Sequence, residues 1–405
     1  MKILISTIMS PYIFQKVGGA EISLKLIGES LAKKGHRVTF LTEDKSSGIG
    51  YSKKRINGVT VIVYSLFKNK SFFKLSDKTV TSVNNFWLKY IIYRVTKIKT
   101  IDIFHSFYEL RVLEYFVKLR EHDPKLKYKI VMRMAGIYWY QDIINDKNKL
   151  DRYRYVFNNI DSVNFNTSGL KPLAYARAAN IGLRLNFKHE FIGDIGASVK
   201  RNRNSWKGNP GSAGIKILVA TRLYYPKRQD ILIEAARLLS GKIPFNIMMV
   251  GEGADSKNIQ EKVNEYGLSE FISIVPFMEQ EKLWAEMQKA DFLCHPSEHE
   301  GLSKIIIESM MIGLPVLASD VVPLNDYIKN GVNGYLCANN PEDWAAQIYF
   351  LGRNKSNLKT ISANAYNIAV ENYDTDNNVT LYEMEFSRLV KKVSERSKES
   401  EYEIQ

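Results

Sequence analysis

Short apolar runs alternate with amphipathic segments along most of the chain, the pattern of repeating β/α units around parallel sheets. The run Lys2–Thr7 is rich in β-branched residues, and Gly19–Lys34 carries Ile22, Leu24, Leu26, Ile27 and Leu31 at mostly helical spacing. Gly35 closes that helix as the glycine just past its end, and Arg37–Thr42 is the next strand. Further strands are expected at Val59–Ser65, Ile101–Ser106, Lys129–Met134 and Ser162–Thr167. A second series begins at Lys216–Thr221 and runs through Phe245–Gly251, Ile272–Phe277, Asp291–His295 and Pro315–Ser319. Helices are expected between these strands at Gln229–Leu239, Ser256–Tyr266, Gln280–Lys289 and Ser303–Ile312. Three more, at Asp343–Leu351, Leu358–Val370 and Val379–Val393, follow the last strand.

Between the two series, residues 198–214 (SVKRNRNSWKGNPGSAG) are polar, rich in Gly, Asn and Ser, and carry one isolated Trp206. They read as a linker. The expected organisation is a Rossmann-like unit over 1–197, a linker over 198–214 and a second such unit over 215–372. A C-terminal helix and tail over 373–405 are expected to pack back on the first unit. With 405 residues, 45% hydrophobic and 25% charged, each unit is large enough to bury a core, and collagen-like, coiled-coil and disordered classes are excluded. No apolar run reaches 18 residues, and the start MKILISTIMSPYIF has no small-residue cleavage site. Neither a membrane span nor a secretory leader is therefore expected. Cys294 and Cys337 have no CxxC partner. Two such thiols fit a reducing cytoplasm.

Charge divides the chain. Residues 1–200 hold 34 Lys and Arg against 16 acids, a balance of +18, whereas the other 205 residues sum to −4. Between 45 and 100 there are twelve basic residues and one acid, Asp77. The asymmetry points to an anionic partner for the first half, or to a solvated basic face. Residues 82–99 interleave Phe86, Trp87, Tyr90, Ile91 and Val95 with Lys89, Arg94, Lys97 and Lys99. That pattern fits a helix at an anionic membrane interface, with Phe72 and Phe73 as further anchors, or a core helix with basic edges. No recognition motif for nucleic acid accompanies the charge.

The chemistry-bearing residues sit at strand ends. In HPSEHEGLSKIIIESMMIGLPVLASD, residues 295–320, a strand stops at His295 and a helix starts near Ser303. Helix N-termini beyond the strand ends of open parallel sheets face the ligand crevice, so Gly301 and the amides of Ser303 and Lys304 are candidates for a phosphate. Glu300 precedes the helix and Glu308 lies within it among Ile305, Ile306, Ile307 and Met311. A carboxylate there needs a partner, either a ribose or sugar hydroxyl, or Lys304, or solvent. In VATRLYYPKRQD, residues 219–230, the cations Arg222, Lys227 and Arg228 follow a strand, which suits a diphosphate or a solvated loop. Gly18 and Gly19, and Gly251 in VGEGAD, are glycine turns that permit close backbone approach. The dinucleotide fingerprint GxGxxG is missing after the first strand, which counts against a nicotinamide-dependent oxidoreductase. His295 and His299 are four apart, but Pro296 breaks a shared helical face and no third ligand is apparent, so no metal site is expected.

Together these pieces resemble a retaining nucleotide-sugar glycosyltransferase of the GT-B fold, glycosyltransferase family 4. The likeness is carried by EGLSKIIIESM with Glu300 and Glu308, by GLPVLASD and NGVNGYLC, and by ATRLYYPKRQDILIEAARLL, VGEGAD, ADFLCHPS and GGAE. It implies two Rossmann-like domains facing each other across a cleft. It also implies that Arg222 and Lys227 grip the donor diphosphate, Glu300 holds donor-sugar hydroxyls and Glu308 the ribose. Gly301, Leu302 and Ser303 would add backbone contacts, and Gly18 and Gly19 would approach the donor from the first half. The His-Gly pair that the family often has after the strand Lys129–Met134 reads Ala135-Gly136 here, leaving Arg133 or His105 as possible replacements at the sugar. The implied reaction needs no metal or other cofactor. Its partners are a nucleoside-diphosphate sugar and a saccharide or lipid-linked acceptor, in a cytoplasmic or peripheral membrane setting. The other reading is a non-catalytic binding or assembly partner of the same fold.

Overall fold

A computed structural model of the protein describes residues 1–7, 11–13, 19–44, 49–67, 77–107, 109–193, 206–208 and 214–402. Its internal contacts divide the chain into two units, Met1–Asn166 with Leu170–Ile195 and Thr375–Gln405, and Thr167–Gly169 with Gly196–Asp374.

Among the described residues the first unit is built on eight strands: β1 (Lys2–Thr7), β2 (Arg37–Glu43), β3 (Gly50–Ile56), β4 (Val59–Ser65), β5 (Ile103–Phe107), β6 (Lys129–Met134), β7 (Ser162–Phe165) and β8 (Glu190–Ile192). They form one sheet in the order β3-β4-β2-β1-β5-β6-β7-β8, parallel throughout except for β3, which runs antiparallel to β4. Ile3, Leu4 and Ile5 in β1 are wholly buried. Cover on both faces is why the central strands read as continuous apolar runs rather than as alternations. On β3, by contrast, Tyr51 to Arg55 are all exposed. Lys53, Lys54 and Arg55 there place charge on an edge strand, which blocks pairing with another chain.

The helices of this unit are α1 (Gly19–Lys33), α2 (Asp77–Tyr90), α3 (Leu110–His122), α4 (Tyr138–Asn145), α5 (Lys149–Asn159) and α6 (Leu170–Ala179). A π-helical turn, Ile91–Val95, continues α2 and buries Ile91 and Ile92 completely. The second half of the basic aromatic segment is thus a core element. Its first half keeps Phe86 at 75% exposure, while Trp87 is half-buried and stacked on Tyr90 at 5.3 Å. Phe72 and Phe73 lie outside the described residues.

The second unit holds β9 (Ile215–Ala220), β10 (Phe245–Val250), β11 (Ile272–Val275), β12 (Phe292–His295), β13 (Val316–Ser319) and β14 (Tyr335–Cys337). All pair in parallel in the order β11-β10-β9-β12-β13-β14. This is the doubly wound Rossmann order, with its reversal between the neighbours β9 and β12. Its helices are α7 (Gln229–Leu239), α8 (Ser256–Glu265), α9 (Gln280–Lys289), α10 (Lys304–Ile312), α11 (Leu324–Tyr327), α12 (Pro341–Arg353) and α13 (Leu358–Tyr373). Trp206 is not an isolated linker residue. It is buried in this unit's core, its indole N–H donating to the carbonyl of Ala290 at 2.7 Å. Most of the remaining stretch 198–214 lies outside the described residues.

The last helix, α14 (Thr375–Tyr402), belongs to the first unit. Val379, Tyr382, Phe386 and Leu389 share a core with Ile3, Ile5, Val38 and Val61.

Candidate active site

The reversal between β9 and β12 leaves two loops side by side at the strands' carboxyl ends. The first is locked by main-chain bonds on either side of Arg222. Thr221 N–H donates to Val250 O at 3.2 Å, and Leu223 N–H to Glu252 O at 3.1 Å. The Gln229 side chain, on the first residue of α7, donates to Thr221 Oγ1 at 2.7 Å and to Arg222 O at 2.9 Å. Two glycines make this closeness possible. A Cβ on Gly251, whose φ is +152°, would lie 1.9 Å from Thr221 O, and one on Gly253 would lie 2.0 Å from Leu223 O. Gly251 was expected to approach a ligand. Its N–H instead donates to Val275 O, and its missing side chain admits the backbone that carries Arg222. The loop is fixed while the Arg222 side chain is exposed, without a hydrogen bond or ion pair among the described residues.

The second loop follows His295. Ser297 N–H donates to Ser319 Oγ at 2.8 Å, and Glu298 N–H donates to Pro226 O at 2.9 Å, tying this loop to the first. Lys227 and Glu300 thereby meet as a buried ion pair, their side chains 13% and 9% exposed. The same oxygen, Glu300 Oε1, accepts from His295 Nε2 at 2.6 Å, and Oε2 accepts no bond from the described residues. Burial pushes the Glu300 carboxyl up, but the Lys227 charge and the His295 hydrogen bond outweigh it and hold the group at about 2. Among the described residues, then, Arg222 has no side-chain partner, Lys227 is already paired, and Glu300 Oε2 accepts no bond.

Ser303 precedes α10. Its N–H was expected to be free for a phosphate, but it donates to Tyr327 Oη at 3.1 Å. Its Oγ lies 3.3 Å from His295 Nε2. The first bond closing the helix runs from Ile307 N to Ser303 O, so the amides of Lys304 to Ile306 precede it. Gly301 is buried and Leu302 half-buried beside them. Glu308, half-buried, has partners that the sequence reading did not name: Gln280 donates to Oε1 at 2.9 Å and the Trp284 indole to Oε2 at 3.3 Å. Burial raises its carboxyl, against the lowering charge of Lys304.

In the first unit, Gly18 lies outside the described residues, and Gly19 is the first residue of α1, its carbonyl accepting from Ser23 Oγ. His105 and Arg133 were candidates for a sugar site, and the structure gives both to the core instead. His105 is wholly buried, its Nδ1 bonded to Val131 O at 3.0 Å, its ring edge-on to Tyr382 and Phe386. Burial holds its pKa down to about 4. Arg133 is 1% exposed and donates to Asn164 Oδ1 at 2.7 Å, to Gly193 O and to Tyr382 Oη. Strand alternation turns both side chains to the sheet face that α14 covers. A cavity of about 320 Å³ opens on the opposite face at the carboxyl ends of β1, β2 and β4, lined by Ser6, Leu41, Tyr64, Asn85, Arg111 and Tyr115 among others.

Two units, each on a Rossmann-like parallel sheet, make the GT-B architecture. The Anabaena HepE protein, solved in complex with UDP, shares it with a TM-score of 0.71 over 96% of this chain and 100% of that one, at 17% identity. Residues 200–368 match the family described as glycosyl transferases group 1. That stretch contains Arg222, Lys227, Glu300 and Glu308. A glycosyltransferase of Methanocaldococcus jannaschii, described as uncharacterized, is 33% identical over 139 residues, 34% of this chain and 38% of its own length. The amylovoran biosynthesis glycosyltransferase of Erwinia amylovora is 27% identical over 129 residues, 30% of this chain and 32% of its own length. The chain spans about a third of these curated relatives.

Proposed function

We propose that the protein is a retaining glycosyltransferase of family 4 that moves a sugar from a nucleoside-diphosphate sugar to a saccharide or lipid-linked acceptor, without a metal or other cofactor. The observation that carries this is the buried Lys227–Glu300 pair where the strand order reverses, between β9 and β12, with Arg222 exposed on the same loop as Lys227. Arg222 and Lys227 take the diphosphate. The free Oε2 of Glu300 accepts from sugar hydroxyls, and Glu308, with Gln280 and Trp284 setting its orientation, takes the ribose. Gly301, Leu302 and the first-turn amides of α10 add neutral donors.

As the anomeric carbon–oxygen bond to the diphosphate breaks, negative charge grows on the leaving phosphate. The two cations and the helix amides stabilise it in place of a divalent ion. The acceptor oxygen bonds the anomeric carbon on the same face, and its proton goes to the departing phosphate. The acceptor is anionic or membrane-anchored. What supports this is the +18 first half, the exposed Lys53, Lys54 and Arg55, the exposed Phe86, and the presence of the 320 Å³ cavity in the same unit. No helix among the described residues is long and apolar enough to cross a membrane. The protein acts in the cytoplasm, peripheral to its inner surface. The relative named for amylovoran biosynthesis supports a place in polysaccharide synthesis. The reading as a non-catalytic assembly partner has no observation in its favour.

The test is a screen of nucleoside-diphosphate sugars by thermal shift and by release of nucleoside diphosphate, with and without excess chelator. A donor at 100 times its Kd adds about 2.7 kcal/mol of stability. Turnover that survives chelator is expected. Silence toward every donor would refute the activity, and turnover restored only by Mg²⁺ or Mn²⁺ would refute the charge assignment to Arg222 and Lys227.

A further inference from the structure

We infer that His295 is a positioning residue that keeps Glu300 aimed at the donor sugar when Lys227 engages the diphosphate. The inference rests on the donor-site reading above. Both contacts of the Glu300 carboxylate fall on one oxygen, Oε1: the Lys227 ammonium and the His295 Nε2, at 2.6 Å. These two holds differ in kind. Lysine is a mobile point charge on a four-carbon stem, and a diphosphate competes for it. His295 sits at the end of β12 with its side chain 2% exposed, in the core of a parallel sheet, and has no comparable freedom. When Lys227 shifts toward phosphate, the imidazole is the contact that stays.

The ring is also poorly served by its surroundings in every other respect. Among the described residues its Nδ1 is buried and has no hydrogen-bond partner, and its Nε2 has one further polar neighbour, Ser303 Oγ, at 3.3 Å. A buried polar atom without a partner is unfavourable, and an apolar side chain of similar size would remove the cost. The imidazole makes sense there through its bond to Glu300. Fixing Oε1 from the strand side leaves Oε2 as the acceptor for a hydroxyl. The charged and titratable groups facing Glu300 are Lys227, from the loop after β9, and His295, from β12.

The experiment uses the full chain and two substitutions. His295→Leu removes the donor, whereas His295→Gln keeps an N–H at similar reach. In the Leu variant kcat with the active donor should fall about 100-fold, as a misplaced reacting contact does, while KM and the Kd for uridine diphosphate change less than about threefold. The acid limb of its kcat profile should rise by about one pH unit, because the carboxylate has lost a hydrogen bond that favoured its charged form. The Gln variant should recover to within about fivefold and keep the limb in place. Carbon NMR of labelled glutamate, with the Glu300 signal assigned by its loss in Glu300→Gln, should show the same rise without any substrate. Equal losses in the Leu and Gln variants, or an unmoved Glu300 titration in Leu, overturn the inference. If His295→Leu does not fold, His295→Asn, whose amide is too short to reach Glu300, takes its place with the same expectations. A wild type silent toward every nucleotide sugar overturns the functional reading and this inference together, whereas an active wild type whose Leu variant keeps its kcat overturns this inference alone.

Discussion

Replacing Lys227 by Met keeps most of the buried stem and removes the ammonium that faces Glu300. In the wild type the carboxyl is held at about 2 instead of the ordinary 4.5, despite burial that works in the opposite direction. At about 1.4 kcal/mol per pH unit, the surroundings of Glu300, burial included, contribute a net of about 3 kcal/mol at neutral pH. Because the folded value is depressed, that stability is present above 4.5 and is lost as pH falls toward 2. The charge of Lys227 is the largest single influence lowering the folded value. The Met variant should therefore be about 2–3 kcal/mol less stable at pH 7, in keeping with the general cost of stranding one member of a buried pair. At pH 3 the wild type retains only about 1 kcal/mol of this contribution, so the gap should shrink to about that size. A second change, Glu300→Gln, should restore most of the loss at pH 7, since no buried charge is then left alone. Urea unfolding at both pH values, followed by hydrogen exchange in the β9 and β12 peptides, reads the second unit directly. A Met variant as stable as wild type at pH 7, or a gap that is no smaller at pH 3, refutes the reasoning.

Arg222→Ala should cost about 2.7–4 kcal/mol in transition-state stabilisation, a loss of roughly 10²–10³ in kcat/KM, with an unchanged melting temperature because the side chain is exposed and unpaired among the described residues; melting scans beside donor turnover check it. Tyr382→Phe should destabilise the first unit by about 1–3 kcal/mol, since Arg133 and Asn164 lose the phenol that links them. Transfer per folded molecule should not change, and a large loss of turnover with stability intact would return Arg133 to the sugar site. The protein should co-pellet with anionic vesicles and not with neutral ones, less so as salt rises, at about 1 kcal/mol per basic residue near the surface. Reversing Lys53, Lys54 and Arg55 to Glu should abolish it, and indifference to vesicle charge at low salt would leave a soluble acceptor.

Strands buried on both faces were legible because burial writes itself into the sequence as a β-branched run: β1, β4 and β6 begin and end where the pattern places them. Amphipathic spacing likewise fixed α7 and α9. The edge strand β3 was not legible, because YSKKR is exposed on both sides and has no alternation to read. At the site, the residue types could be named but not their partners. Glu308 is satisfied by Gln280 and Trp284, 28 and 24 positions away, which only the packing of α9 against α10 brings near. His295 was weighed for a metal by its spacing to His299, while its partner is the carboxylate five residues on. Arg133 is the clearest case. Its place at the carboxyl end of a strand fits a ligand site, and what removes it from one is a tyrosine 249 residues later.

The assignment of α14 to the first unit has a consequence for the order in which the protein can be made. Residues 1–195 leave the ribosome with the buried faces of β1 and β5 lacking Val379, Tyr382, Phe386 and Leu389, and with the Arg133 guanidinium missing its phenol. The whole of the second unit must then be translated first. At about 5–20 residues per second that interval lasts roughly 10–40 seconds. For that time the first unit is an incomplete core holding a cation without its cover, a natural client for a chaperone. Nascent chains stalled at Asp374 should accordingly be cut by protease within Met1–Ile195 and spared in the second unit, and chains stalled past the last helix should resist in both.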